Sequence, residues 1–369
     1  LPNPLIATDA TVESVVDDEL IKFLEKKSSQ FESSKAEGQD WLNSISIHVR
    51  QALISRGLTA KPSEGFLPIL TPNAGIIKLQ GTKELTVQAI ESRASEIFTS
   101  DGIQIISTTP ESGRISIAVK RPVREILHTE KVLLDYLKSY DPNTDGEKIC
   151  IGIAEEDGKQ VLLDPLSQPH TLVAGMTGSG KSILIQNILL TIAASRTPDE
   201  ALIYLIDPKF GLDYRPLEDL PHLKAGSGCI IDDPQEAIKI LKTLVDEMND
   251  RYRLFKESGV PNIRAYRRAT GKNMPTLWVI HDEFTDWMMI EEYRKAVPDV
   301  VSRLSVKARA AGIFLIFAAQ RPDKDAMPMQ LRSQLGNRLT LKVDNEATSE
   351  IAMGIKNGGA ERLLGHGHM

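Results

Sequence analysis

Eight consecutive residues constrain this chain more than any others: Gly175-Met176-Thr177-Gly178-Ser179-Gly180-Lys181-Ser182. An apolar run, Thr171-Leu172-Val173-Ala174, leads into them. A helical pattern carrying Ile183, Leu184, Ile188, Leu189 and Ile192 leads out. Strand, glycine-rich loop and helix in that order make the G-x-x-x-x-G-K-S phosphate-binding pattern. Glycines let backbone N–H groups turn inward around phosphate oxygens, and the helix start adds positive partial charge. Lys181 is placed to reach the outer phosphates of ATP, and the Ser182 hydroxyl to ligate Mg²⁺. A chance glycine-rich turn is the competing explanation, and the complete context argues against it.

From about residue 147 strands alternate with helical patterns, which predicts an α/β parallel sheet. Strands are expected at Val161–Leu163, Thr171–Ala174, Ala201–Ile206, Leu277–Ile280, Ile313–Ala318 and Arg338–Val343. Helices are expected at Lys181–Ala194, Pro234–Glu257, Glu291–Ala311 and Ala347–Ile351. Three segments follow: helices over 1–60, a small α+β domain over 61–145, and the phosphate-loop unit over 146–369. The first carries stripes at Val12, Val16, Leu20, Phe23 and Leu24, with Asp9 as a start signal, and at Trp41, Leu42, Ile45, Val49, Ala52 and Leu53. The second reads strand, helix, strand, strand (75–80, 85–98, 102–106, 114–119), and Pro142–Gly146 reads as a linker.

The net charge of −6 neither announces nor excludes a polyanion partner, because a local basic surface is what matters. Cys150 and Cys229 are the two cysteines, far apart, so a disulfide framework or zinc site is not expected and a reducing cytoplasm fits. No apolar run reaches the roughly 20 residues that span a bilayer. The chain opens at Leu1 and stops within Gly365-His366-Gly367-His368-Met369, so it is expected to be a piece of a longer protein whose other parts, a membrane segment included, are not in view.

Four further stretches carry candidate chemistry. Leu277–His281 is an apolar strand ending in Asp282 and Glu283. Beside a phosphate loop, Asp282 is expected to hold Mg²⁺ and Glu283 to polarise the attacking water. Gln320 ends another strand and is placed to sit near the γ-phosphate, a structural amide being the alternative. Asp207 and Lys209 end a third strand, either reaching the same edge or forming a buried ion pair. Arg338, with Arg332 second, is the candidate for a charge supplied across a subunit boundary. His281 reads as a packed histidine rather than a metal ligand.

The span Arg251–Lys272 holds seven basic residues against one acid, and Arg321 and Lys324 add to the next loop. Arg264, Arg267, Arg268, Arg321 and Lys324 are therefore the candidate contacts to a polyanion. Few aromatic residues accompany them, which favours duplex-backbone contact over base stacking.

Several motifs in fixed order resemble the FtsK/SpoIIIE family of double-stranded DNA translocases. They are Pro169–Gly175 with the phosphate loop, Leu205–Lys209, Pro221-His222-Leu223, Arg251–Leu254, Lys307–Ile313, Gln320-Arg321-Pro322 and Gly358–Gly365. The resemblance covers roughly residues 61–369. It implies a RecA-like ATPase working as a hexameric ring around double-stranded DNA, with pore loops near Gly259–Arg268 and Arg321–Gln330. Four positions depart from the family pattern. His281 stands where an aliphatic residue is usual, Ala319 where Thr is usual, Gly336-Asn337-Arg338 where Pro-Thr-Arg is usual, and Gly365–His368 where Gly-Arg-Gly-Asp is usual. The rival readings are a motor of the same fold serving secretion or conjugation, and a slow ATP-gated assembly or defence protein.

Overall fold

The computed structural model describes residues 17–29, 35–142, 144–155, 157–223, 230–322 and 327–369. The chain divides into two units: Asp18–Ser139 with Cys150–Leu162, and Leu1–Asp17 with Tyr140–Ile149 and Leu163–Met369. The segments drawn from sequence fall differently. The helices before residue 60 share a unit with the small α+β domain, and so does 150–162.

The first unit contains α1 (Asp18–Ser28), α2 (Lys35–Ile54), β1 (Ile69–Leu70), β2 (Ala74–Gln80), α3 (Val87–Asp101), β3 (Ile105–Glu111), β4 (Arg114–Lys120) and α4 (Thr129–Ser139). Its sheet has the order β1-β2-β4-β3, all antiparallel. The apolar stripe of α2 turns inward, so Val49, Ala52 and Leu53 share a core with Ile77, Leu79, Ile117 and Val119. Helix α3 starts where Thr86 Oγ1 accepts from the Ala89 N–H and stops at Gly102 in the left-handed region. Asp9, Val12 and Val16 of the first stripe lie outside the described residues, as do Asn143 of the linker and Cys229. Strands β5 (Ile149–Ile153) and β6 (Gln160–Leu163) pair with each other. Cys150 is buried, and its thiol donates to the Gly152 carbonyl at 3.6 Å.

The second unit runs β7 (His170–Ala174), α5 (Lys181–Ser195), β8 (Ala201–Ile206), α6 (Pro234–Glu257), α7 (Ile263–Thr270), β9 (Thr276–His281) and α8 (Phe284–Trp287). It continues with α9 (Glu291–Ala311), β10 (Ile313–Ala319), α10 (Met329–Gln334), β11 (Asn337–Thr340) and α11 (Glu346–Met353). Five parallel strands lie in the order β11-β7-β10-β9-β8. Strands β7, β9 and β10 are buried along their whole length, as strands covered on both faces must be. Helices α6 and α9 supply Leu241, Leu244, Val245, Val301 and Leu304 to a core with Leu315 and Phe317. Each such side chain contributes about 1.5–3 kcal/mol by leaving water.

Parallel strands share one carboxyl edge. The segments after Ala174, Ile206, His281 and Ala319 therefore emerge side by side, where ligands of open α/β sheets gather. Among the described residues no helix is long and apolar enough to cross a membrane.

Candidate nucleotide site

The glycine loop between β7 and α5 has a backbone that side chains would obstruct. Gly178 and Gly180 adopt φ of 77° and 104°, a region that costs residues with a Cβ. A Cβ on Gly175 would lie 2.5 Å from Ser179 Oγ, and one on Gly180 would lie 2.6 Å from the Gly367 nitrogen. Gly367 N–H donates to the Ser179 carbonyl at 2.7 Å, and Met176 N–H to the Lys342 carbonyl at 2.9 Å. Main-chain bonds thus pin the loop from two sides. The first N–H groups of an α-helix such as α5 have no partner within the helix.

Lys181 opens α5 and turns toward the end of β9. Its ammonium donates to Asp282 Oδ1 and lies 2.8 Å from Glu283 Oε1. All three side chains are buried. Burial works against the lysine charge, but the two carboxylates outweigh it and hold its pKa above the ordinary lysine value. Glu283 sits at φ 44°, ψ 37°, a left-handed conformation that costs a non-glycine residue about 1–3 kcal/mol. Its N–H donates back to Asp282 Oδ1 at 2.9 Å. Gln320, at the end of β10, donates to Glu283 Oε1 at 2.8 Å and accepts from Thr177 Oγ1 at 3.2 Å. It bridges the glycine loop and the carboxylate.

The segment after β8 joins the same cluster. The Asp207 carboxylate accepts the N–H groups of Lys209 and Gly211, each at 3.0 Å. Burial pushes its pKa up. Lys209 Nζ instead reaches Glu283 Oε1 at 3.2 Å. A 3₁₀ turn, Leu212–Leu217, then brings Asp213 to the Ser182 hydroxyl at 2.9 Å and the Tyr214 hydroxyl to Asp282 Oδ2 at 2.5 Å. Sequence reading missed both residues; the one available signal was their position just beyond the Leu205–Lys209 strand end.

His281 is fully buried. Its Nδ1–H donates to the Asp282 carbonyl at 2.9 Å, which leaves Nε2 to accept from the Tyr293 hydroxyl at 2.5 Å. Phe284, Trp287 and Phe317 surround the ring. Burial lowers its pKa to about 3. It is a packed, hydrogen-bonded histidine.

The basic run is used unevenly. Arg267 Nε donates to the Met274 carbonyl, Nη2 to the Glu200 carbonyl and Nη1 to the buried Glu147. Its guanidinium is half-buried and engaged with three groups of the fold. Arg251 is likewise buried, bonded to Glu247 and the Ala311 carbonyl. Arg268 is exposed, Arg264 half-buried against Gly146, and Arg321 exposed beside Asp344. Lys324 lies outside the described residues. Gly259–Arg268 is largely helix α7, not loop. Arg267 ties α7 to residues just before β8 and β9, at the amino edge of the sheet, whereas Arg321 follows β10 at the carboxyl edge.

Arg338 lies on the edge strand β11, half-buried. It donates to the carbonyls of Ala352 and Arg332, and burial lowers its pKa. Two of its five N–H donors are used there. Arg332 Nε is buried with no partner among the described residues.

The donor set fits a magnesium nucleotide. A hydroxyl (Ser182), a carboxylate (Asp282) and a lysine converge at a helix start, and Ser179 Oγ is buried with no partner among the described residues. Magnesium takes oxygen ligands, one or two carboxylates among them.

The sequence model of the FtsK/SpoIIIE family matches residues 132–324. The chain is 32% identical over 293 residues to the DNA translocase FtsK of Pseudomonas aeruginosa, covering 72% of this chain and 35% of that protein. It is 35% identical over 271 residues to the DNA translocase SpoIIIE of Bacillus subtilis, covering 70% and 33%. It therefore spans about a third of the length of these relatives. Among solved structures, the pCW3 conjugation coupling protein TcpA, in its monomer form with ATPγS, superposes with a TM-score of 0.53 at 24% identity, over 86% of this chain and 88% of that one. The cytoplasmic domain of the Thermomonospora curvata type VII secretion ATPase EccC gives 0.50 at 22% identity, over 64% and 28%. Both likenesses concern the fold.

Proposed function

The chain belongs to the FtsK/SpoIIIE family, and from that premise we propose that it is an ATP-driven motor that moves double-stranded DNA, working as a ring of copies, as a hexamer, on the cytoplasmic side. One observation carries the reading. Lys181, the adjacent pair Asp282 and Glu283, and Gln320, from three separate stretches of sequence, form a single bonded cluster beside the glycine loop.

In this reading Gly175–Ser182 cradles the phosphates, and Lys181 neutralises charge on the outer ones. Ser182 and Asp282 would hold Mg²⁺, which would supply positive charge to offset that developing on the phosphates. Glu283 takes the proton of the attacking water. Gln320 links Glu283 to Thr177, so a change at the phosphate end passes to β10 and the Arg321 segment beyond it. Arg338 of a neighbouring copy offers its remaining donors to the transferred phosphoryl group. Arg264, Arg268 and Arg321 contact DNA phosphates without reading sequence.

The test is the ATPase rate with and without linear duplex DNA, alongside particle size with and without nucleotide. The reading expects stimulation by duplex and growth to a ring. A particle that remains monomeric with both supplied overturns it. Turnover indifferent to plain duplex would point instead to a motor for protein or a protein–DNA complex.

A further inference from the structure

One short segment reaches the two side chains just assigned to magnesium. The Ser182 hydroxyl donates to Asp213 Oδ2 at 2.9 Å, and Tyr214 Oη donates to Asp282 Oδ2 at 2.5 Å. These residues are neighbours on the turn Leu212–Leu217, yet their partners lie on α5 and beyond β9.

The turn is held in place. Gln186 Nε2, one helical turn beyond Ser182, donates to the Asp213 carbonyl at 2.5 Å. Gly211 adopts φ 66°, and a Cβ there would lie 2.4 Å from Ile230. Asp207 binds the Gly211 N–H, and Tyr214 is fully buried.

We propose that Asp213 and Tyr214 are positioning residues of the nucleotide site, which orient the Ser182 hydroxyl and the Asp282 carboxylate to receive Mg²⁺. The proposal rests on the reading of that site given above. A hydroxyl whose hydrogen is taken by Asp213 turns its lone pairs away from that carboxylate, toward a cation. Asp282 is fixed at both oxygens: Oδ1 accepts from Lys181 and the Glu283 N–H, and Oδ2 from Tyr214. With three of about four acceptor positions taken, the side chain has one orientation and one direction left open. Partners of metal-holding groups set ligand orientation in this way, and losing one typically weakens metal affinity about 10–100-fold.

The experiment measures binding of a fluorescent ADP analogue to the whole chain, with Mg²⁺ and with EDTA, together with the melting temperature. Tyr214→Phe removes one hydroxyl and keeps the ring. Asp213→Asn, at an exposed side chain, keeps the fold should Tyr214→Phe lose it. The expected result is that the tightening due to Mg²⁺ falls about tenfold or more in each variant while affinity in EDTA stays at the parent's value. A lower melting temperature with the parent's full magnesium effect would make the turn a mere packing element and overturn the proposal. A parent that shows no magnesium effect would instead defeat the nucleotide reading on which the proposal rests.

Discussion

Gln320 Nε2 lies 2.8 Å from Glu283 Oε1, the same oxygen that Lys181 approaches to 2.8 Å and Lys209 to 3.2 Å. Three donors thus converge on one atom of a side chain whose backbone is left-handed. Such a carboxylate oxygen is oriented before any substrate arrives, and strain of this kind gathers where orientation matters.

If Glu283 moves the proton of the attacking water, Glu283→Gln lowers kcat by about 10²–10⁴-fold. The amide keeps the side chain's size, so nucleotide affinity stays near that of the parent. Steady-state ATPase and equilibrium nucleotide binding check the two halves. Equal turnover in variant and parent removes Glu283 from the mechanism.

His281 makes stability depend on pH. Its pKa falls from 6.5 to about 3 in the folded chain through burial, partly offset by its bond to the Asp282 carbonyl. The unfolded chain then binds the extra proton between those values. Stability is complete above about pH 6.5 and is lost as pH falls toward about 3, at up to about 1.4 kcal/mol per pH unit. His170, lowered to about 4 by burial, adds to this slope. Urea unfolding of His281→Leu at neutral and mildly acidic pH should show a shallower loss than the parent. At neutral pH the variant should be about 1–3 kcal/mol less stable, because the Tyr293 hydroxyl and Asp282 carbonyl lose their partner. An unchanged slope would mean that the imidazole is not held neutral.

Arg267→Ala should act on folding. It strips a partner from the buried Glu147, which keeps Arg196 at 3.4 Å, and removes a donor from the Met274 carbonyl and from the Glu200 carbonyl, which keeps Thr276. A loss of about 1–3 kcal/mol is expected, read as a lower denaturation midpoint. The salt dependence of duplex-stimulated turnover should keep the parent's slope. A shallower slope with unchanged stability would return Arg267 to the polyanion contacts.

A charge supplied between copies predicts complementation. Arg338→Ala and Glu283→Gln should each be inactive alone. Mixed in equal parts in a head-to-tail ring, roughly a quarter of the sites combine an intact Glu283 with a neighbour's intact Arg338. Activity should return toward that level in the ATPase assay. No recovery would confine Arg338 to its bonds with the Ala352 and Arg332 carbonyls.

The phosphate loop, all five parallel strands and the long helices α6 and α9 were legible in the sequence. Their signals are local: apolar runs, 3.6-residue periodicity, and glycines where the backbone demands them. Helix α4 escaped although its buried Leu133, Leu134, Tyr136 and Leu137 recur at three- and four-residue spacings, because it is short and follows directly on the small domain. The roles of Tyr214 and Arg267 escaped for another reason. Tyr214 finds Asp282 across 68 residues, and Arg267 finds Glu147 across 120. No pattern in the chain distinguishes an arginine facing solvent from one enclosing a carboxylate. The packing of β8 and β9 decides that.

Helix α7 and the Arg321 segment stand at opposite ends of the strands. Strand β10 has seven residues, so about 20 Å separates the two at 3.3 Å per residue. A duplex rises about 3.4 Å per base pair, so a rod touching both spans roughly six base pairs, about six-tenths of a turn. Each DNA strand winds past the contact line over that length, so in the proposed reading the two grips on one side of the rod would meet different parts of the backbone. Both handholds would belong to one sheet, so their spacing along the rod would be set by the length of β10 rather than by the DNA.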